Sequence, residues 1–235
     1  KIICIDDFLN RRHYADVYIN TKPDLVSCSK KKLLLIEKNN KKGCKFFLGP
    51  KHSLINPFLR KEKRSIKKFS ITFYNGGSGS LLIYKDIILK FLTNKFLSIR
   101  LNLILGPLSK QKLLVRKIFK KYKNINIIDG KSNLSHVFSN TDLLIASAGV
   151  ITFESSFFKI PSILINMSSD QSTDTYDLER IGHYFFLDKK DLKKTEKFFK
   201  LISIILKNYK RFFKLMKNSE IKINKKPKKI LKIIK

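Results

Sequence analysis

The sequence predicts an α/β protein built on a parallel, doubly wound sheet, and three observations predict it. Short apolar runs without helical period alternate with segments whose apolar residues recur at helical spacing. The connections between them are short. Glycines stand at two strand-to-helix junctions, within residues 75–80 and at Ala148-Gly149.

The elements follow in order. Candidate strands open the chain at 1–5, 16–20 and 45–48, with 30–37 and 53–60 as further strand candidates. The charged run Lys61-Glu62-Lys63-Arg64 through Lys68 then marks a boundary. Beyond it the alternation is regular: strand 70–74, helix 81–92, strand 100–105, helix 110–121, strand 125–128, helix 133–139 and strand 143–146. Ala148-Gly149 breaks that last strand, residues 151–158 fit about two helical turns, and Ile160-Pro161 ends them before strand 162–165. Helices are expected at 175–180, 190–207 and 209–217, and the last fifteen residues, mostly Lys and Ile, are expected to be helical or frayed.

Composition bounds the class. At 235 residues and 43% hydrophobic, the chain can bury a core, and nine Gly with six Pro are too few for low complexity. The longest apolar runs, such as 33–36 and 201–205, are far short of a membrane span. Three scattered cysteines, Cys4, Cys28 and Cys44, lack metal-ligand spacing and read as reduced thiols, which places the chain in the cytoplasm. Fifty Lys and Arg against eighteen Asp and Glu give a formal charge of +32. That excess is dispersed among Ile, Asn and Phe along the whole chain, as a strong coding bias would leave it. No zinc finger, RNP-type aromatic motif or helix-turn-helix is evident, so no specific nucleic-acid partner is expected. Such a surface attracts polyanions only non-specifically and in a salt-sensitive way.

The densest chemistry lies at 142–171, where strand, glycine turn, helix and strand follow one another. A glycine at the mouth of a helix lets the backbone approach a ligand, and the amides of the first turn favour an anion. Gly149, Val150 and Thr152 are therefore candidate nucleotide-binding residues. Glu154, five residues after Gly149, is placed to accept hydrogen bonds from ribose hydroxyls. The alternative stays open: Gly149 allows a tight connection and Glu154 offsets the helix dipole. The loop Asn75-Gly76-Gly77-Ser78-Gly79-Ser80 also follows a strand and precedes a helix, so Gly76, Gly77 and Ser78 can wrap a diphosphate, or form only a flexible turn. It matches neither G-x-G-x-x-G nor the P-loop, which disfavours dinucleotide enzymes and NTPases.

The order of motifs carries a resemblance. Ile5-Asp6-Asp7-Phe8 with Asn10-Arg11 and His13, then Ala15-Asp16, Ile19-Asn20, Leu48-Gly49-Pro50-Lys51, Leu54-Ile55 and Pro57-Phe58 come first. Ile71-Thr72-Phe73, Gly76-Gly77-Ser78, Gly149 to Glu154, and a polar segment ending in Gln171 follow, with Leu178 to Gly182 last. Over roughly residues 2–187 this series resembles the nucleotide-sugar hydrolases of pseudaminic acid synthesis. Its C-terminal part is also similar to nucleotide-sugar glycosyltransferases with two facing Rossmann-like domains. The resemblance implies a glycosyltransferase-B-like architecture. Residues 1–66 would be the remnant of an N-terminal Rossmann-like domain, 67–189 a nucleotide-binding Rossmann-like domain, and 190–235 basic C-terminal helices. It implies hydrolysis of a UDP-sugar to UDP and a free diacetamido-trideoxy sugar, with no metal and no cofactor. The rival activities are sugar transfer to an acceptor, and nucleotide-sugar or polyanion binding without catalysis.

The same resemblance expects a histidine in a glycine-rich loop near the N-terminus to act on water. The chain opens on the strand-like Lys1-Ile2-Ile3-Cys4-Ile5, after that point, and is expected to be an N-terminally truncated piece. Asp7 and Asp170 are the candidate catalytic residues that remain, and Gln171 and His52 are candidate substrate contacts. Two positions depart from the family pattern. His52 stands where the family usually has tyrosine, and Asp170 stands where an asparagine is expected to touch the sugar. One carboxylate of Asp6-Asp7 is expected to cap the following turn, with Asn10, Arg11 and His13 forming a polar network.

Overall fold

Val17–Asn20 is buried along its whole length and lies between two parallel neighbours, Ile3–Ile5 and Lys45–Leu48. The structure, a computed structural model, describes residues 1–6, 11–25, 29–92, 98–131, 133–168 and 175–224. These three strands, β1 (Ile3–Ile5), β2 (Val17–Asn20) and β3 (Lys45–Leu48), make a small parallel sheet in that sequence order. Helix α1 (Lys30–Lys38) joins β2 to β3.

A second parallel sheet holds the larger core. Its strands are β4 (Ser70–Tyr74), β5 (Arg100–Leu105), β6 (Ile125–Asp129), β7 (Leu143–Ser147), β8 (Ser162–Asn166) and β9 (Phe185–Asp188), in the spatial order β6-β5-β4-β7-β8-β9. The order reverses between β4 and β7, the doubly wound arrangement in which ligands bind beyond the carboxyl ends of the strands. Ile71, Phe73, Leu101, Leu103, Leu143, Ile145, Ile163 and Ile165 belong to one buried cluster, and Ile104, Leu144 and Ala146, on the opposite face, belong to another, as expected of strands covered on both faces. Helices α2 (Lys85–Leu92), α3 (Lys112–Phe119), α4 (Ser135–Ser139), α5 (Val150–Phe158) and α6 (Thr175–Arg180) form the connections. Helix α7 (Thr195–Lys207) packs Phe198, Phe199, Ile202 and Ile205 into that cluster, and α8 (Tyr209–Lys217) follows it. Among the described residues no helix is long and apolar enough to cross a membrane.

The segment between the sheets is anchored to the second one. Ile55 packs with Ala148, Phe153, Leu178 and Ile223, and Leu59 packs with Ile104, Phe138, Leu144 and Ile151. Asn140 Oδ1 accepts from the amides of Ser65 at 2.9 Å and Ile66 at 2.8 Å. Arg64 grips Asp142 with both guanidinium ends at 2.5 and 2.6 Å, while Asp142 also accepts from Ser70 N at 2.8 Å and from the Tyr209 hydroxyl at 3.3 Å.

Three sequence expectations are corrected. Residues 30–37, a strand candidate, fold as α1: Ser29 Oγ accepts from Lys32 N at 3.3 Å and caps the helix, which buries Ile36 and leaves Lys30, Lys31 and Lys38 in water. Residues 53–60 form no strand, because no neighbouring strand supplies a ladder and Ile55 and Leu59 are used as single anchors. The helix expected at 190–207 is two pieces, a 3-10 turn at Lys189–Lys193 and then α7. Strand β9 was not foreseen: Phe185-Phe186-Leu187 is a brief apolar run, and only pairing to β8 makes it a strand.

Candidate functional site

The site lies where the strand order reverses. Because Tyr74 of β4 pairs with Ala146 of β7, the loops that leave these strands emerge side by side. They line one cavity of about 480 Å³, with Gly76, Gly77 and Ser78 on one wall and Gly149, Val150 and Glu154 on the other. Tyr74, Asn75 and Met167 complete much of the remainder.

Each loop has a backbone reason for its glycines. Gly76 takes a left-handed conformation at φ 69°, with Ser147 Oγ 3.5 Å from where a Cβ would stand. The Asn75 side chain donates to Ser80 O at 2.8 Å and so folds the loop back on itself. Ser80 Oγ accepts from Leu82 N at 3.1 Å and caps the 3-10 turn Leu81–Tyr84 that leads into α2. Gly149 sits at φ 153° and ψ −149°, a region that other residues essentially avoid. It opens α5, so the amides of the first turn point toward the cavity with their partial positive charge. Two of the amides here are already used: Thr152 Oγ1 accepts from Gly149 N at 3.3 Å, and Thr152 N donates to Gly149 O at 3.0 Å. Thr152 is thereby a helix cap, 4% exposed and outside the cavity wall. Val150 and Ile151, the next two residues, do line the cavity.

Glu154 is half-buried at the cavity edge. Its Oε1 accepts from the Asn56 amide at 3.4 Å. Burial pushes its carboxyl above the ordinary value, with the Asn56 hydrogen bond opposing that shift. The Tyr74 hydroxyl is pushed up as well, first by burial and then by the Glu154 charge. The cavity is therefore lined by the amino end of α5 and, one turn further along the same helix, by a carboxylate acceptor.

The remaining candidates fall elsewhere. His52 packs edge-on against Phe47, ring centroids 5.2 Å apart, and does not line the cavity. Asp7, Asp170 and Gln171 lie outside the described residues. Asp6, the neighbour of Asp7, is buried at the end of β1, where its Oδ2 meets His13 Nε2 at 3.0 Å and the Tyr18 hydroxyl at 3.4 Å. Among the described residues no three His, Cys, Asp or Glu side chains gather as a metal would need.

Gly106 escaped the sequence reading. A Cβ there would stand 2.3 Å from Gly76 O and 2.4 Å from Gly77 O, and Leu108 N donates to Gly77 O at 2.8 Å. The loop after β5 is therefore the floor on which the first glycine loop rests. The signal was present as Gly106-Pro107 directly after a strand.

The described fold and cavity define a Rossmann-like α/β protein of glycosyltransferase-B architecture. Solved structures of that architecture resemble it over nearly the whole chain. MurG of Acinetobacter baumannii matches with a TM-score of 0.56 at 10% identity, over 99% of this chain and 66% of that one. A kitacinnamycin glycotransferase matches with a TM-score of 0.56 at 12% identity, over 88% of this chain and 50% of that one. The spinosyn rhamnosyltransferase SpnG matches with a TM-score of 0.53 at 11% identity, over 92% of this chain and 66% of that one. In sequence, the chain is 25% identical over 163 residues to the uncharacterized protein MJ1062 of Methanocaldococcus jannaschii, covering 65% of this chain and 32% of the relative. The chain thus spans about a third of that relative's length and no more than two thirds of these structures. No family model matches it.

Proposed function

We propose that the cavity holds the diphosphate and ribose of a UDP-sugar, and that the protein transfers the sugar from UDP to an acceptor. The observation that carries this reading is the convergence of the Gly76-Gly77-Ser78 loop, the amino end of α5 and the Glu154 carboxylate on one cavity. As the bond between sugar and diphosphate breaks, negative charge grows on the leaving oxygen. Amides held in place before the reaction stabilise that charge without reorganising. A carboxylate beside phosphate would repel it, so Glu154 is assigned to the ribose, whose two hydroxyls donate to it. The likeness to structures described as glycosyltransferases supports transfer over other fates of the sugar.

Hydrolysis is the second reading, favoured by the ordered segments from Ile5 to Phe58 that resemble the hydrolases of pseudaminic acid synthesis. In that case water takes the place of the acceptor. The free thiols Cys4 and Cys44 fit a reducing compartment, and we place the protein in the cytoplasm, where UDP-sugars are made.

The test has two stages. Calorimetry of the full chain with UDP should show saturable binding, and its absence sinks both readings. UDP-sugars incubated with and without candidate acceptors then separate them: UDP release that needs an acceptor supports transfer, and release in water alone supports hydrolysis.

A further inference from the structure

Three ammonium groups gather at the carboxyl end of α5, away from the cavity at its amino end. Lys159 caps the helix in a left-handed conformation, φ 63°, the one non-glycine residue with positive φ among the described residues. Its Nζ donates to Ser219 Oγ at 2.5 Å. Lys222 meets the same serine: its Nζ donates to Ser219 O at 3.1 Å and to Lys217 O at 3.2 Å. Lys61, from the segment between the sheets, sits over the Phe157 ring at 5.1 Å from its centroid, close enough to Lys222 to be repelled by it.

No carboxylate balances this cluster among the described residues. Glu62, next to Lys61 in sequence, meets His136 at 3.2 Å, and Glu220, two residues from Lys222, is committed to Arg180 at 2.8 Å. Lys159 responds accordingly: burial first, then Lys222 and Lys61, push its ammonium down to about 8. The dipole at the end of α5 offsets only part of one charge, and that effect fades within a turn. Three like charges brought together from the linker, from α5 and from the chain after α8 leave a concentration of positive potential with hydroxyl and ammonium donors around it. Such an arrangement is met by a multivalent oxyanion, which accepts several charge-assisted hydrogen bonds at once.

We propose that Lys61, Lys159 and Lys222, with Ser219, form a second anion site for a phosphate-class ligand, separate from the cavity of the nucleotide reading. None of the four lines that cavity, and α5 holds the two sites apart by its nine residues, about 13 Å. The bound anion joins the linker to the segment that follows α8. The ligand is a free phosphate or diphosphate, or the phosphate of a lipid headgroup.

Calorimetry of the full chain with inorganic pyrophosphate at fixed ionic strength tests the site. Wild type should bind, and Lys61→Gln with Lys222→Gln should weaken binding at least about tenfold, the loss expected from two charge-assisted contacts. Lys159→Asn, which tolerates the left-handed conformation, should do the same without disturbing the fold. UDP binding should be unchanged in these variants, which separates failure of this site from failure of the nucleotide reading. Equal pyrophosphate affinity in wild type and variants overturns the proposal, as does an effect that chloride of the same ionic strength reproduces. Sedimentation with phosphatidate vesicles identifies the source: lysine-dependent vesicle binding that pyrophosphate competes away supports the site with a lipid headgroup, and lysine-dependent pyrophosphate binding without vesicle binding supports it with a free anion. Absence of both pyrophosphate and vesicle binding overturns it.

Discussion

Glu154 accepts a hydrogen bond through Oε1 from the backbone amide of Asn56 at 3.4 Å, so the segment between the sheets touches the cavity edge at the carboxylate assigned to the ribose. This contact is with backbone, which leaves the second carboxylate oxygen for a ligand. Glu154→Ala should weaken UDP binding about 10- to 100-fold, the range for hydrogen bonds to a charged group. A UDP analogue lacking both ribose hydroxyls should bind wild type and variant alike by calorimetry. An equal loss for both ligands would remove Glu154 from the ribose.

The same carboxylate makes stability depend on pH. Its folded pKa is raised above the ordinary 4.5 by burial, so the folded state holds the proton more tightly than the unfolded chain. The penalty of the buried charge is therefore present in full above the raised folded value, shrinks as pH falls through it, and is gone below 4.5. Denaturant melts across that window should show wild type losing stability as pH rises, and Glu154→Gln should remove that component.

His183 works in the opposite sense. It is buried, meets Thr152 O through Nε2 at 2.8 Å and Ser156 Oγ at 2.9 Å, and its pKa is pushed down to about 4, chiefly by burial. The unfolded chain takes up the proton near 6.5 and the folded one resists it, so stability is lost as pH falls from 6.5 toward 4. By pH 4 the loss amounts to about 3 kcal/mol. A His183→Asn variant should show a flatter slope in the same melts.

Gly149 and Gly106 serve the cavity differently. At Gly149 a Cβ would meet nothing within 4 Å, but the backbone at φ 153° strains any side-chain-bearing residue. Gly149→Ala should cost about 1–3 kcal/mol and shift the α5 amides, lowering UDP affinity. At Gly106 the clash is with Gly76 O and Gly77 O, so Gly106→Ala should displace the first glycine loop and cost about 1–3 kcal/mol as overpacking does. Thermal melts with and without UDP report both; a Gly106→Ala protein with unchanged UDP affinity would show that the floor of the loop does not matter.

Arg64 should matter for stability and not for nucleotide binding. Its partner Asp142 is 5% exposed, and removing the guanidinium leaves that carboxylate with Ser70 N and the Tyr209 hydroxyl. Arg64→Ala should destabilise by roughly 2–3 kcal/mol, less than a fully buried pair because the Arg64 side chain is 40% exposed. Chemical denaturation checks the loss, and UDP titration checks that the cavity is intact.

Much of the second sheet was legible because its strands are continuous apolar runs separated by glycine, proline and charge. Strands β4 and β5 and helices α6 and α8 start and stop where the sequence pattern places them. Residues 30–37 were misread because Leu33-Leu34-Leu35-Ile36 has no period that separates strand from helix. The cap at Ser29 decides it, and a serine alone does not announce that it will cap. The run 185–188 is too brief to stand as a strand until β8 offers its edge.

Chemistry held within a few residues was therefore written locally: the glycines at 76, 77 and 149, the carboxylate at 154, and the alternation that makes the sheet parallel. Bringing Gly76 against Ser147, Gly106 under Gly76, Asn56 onto Glu154, and Lys61 and Lys222 beside Lys159 required the fold. Those partners lie tens of residues apart, and only the strand order β5-β4-β7-β8 and the anchored linker place their backbones within reach. Local propensity acts over one turn or one strand, whereas a cavity and a charge cluster are set by which chain ends a sheet aligns.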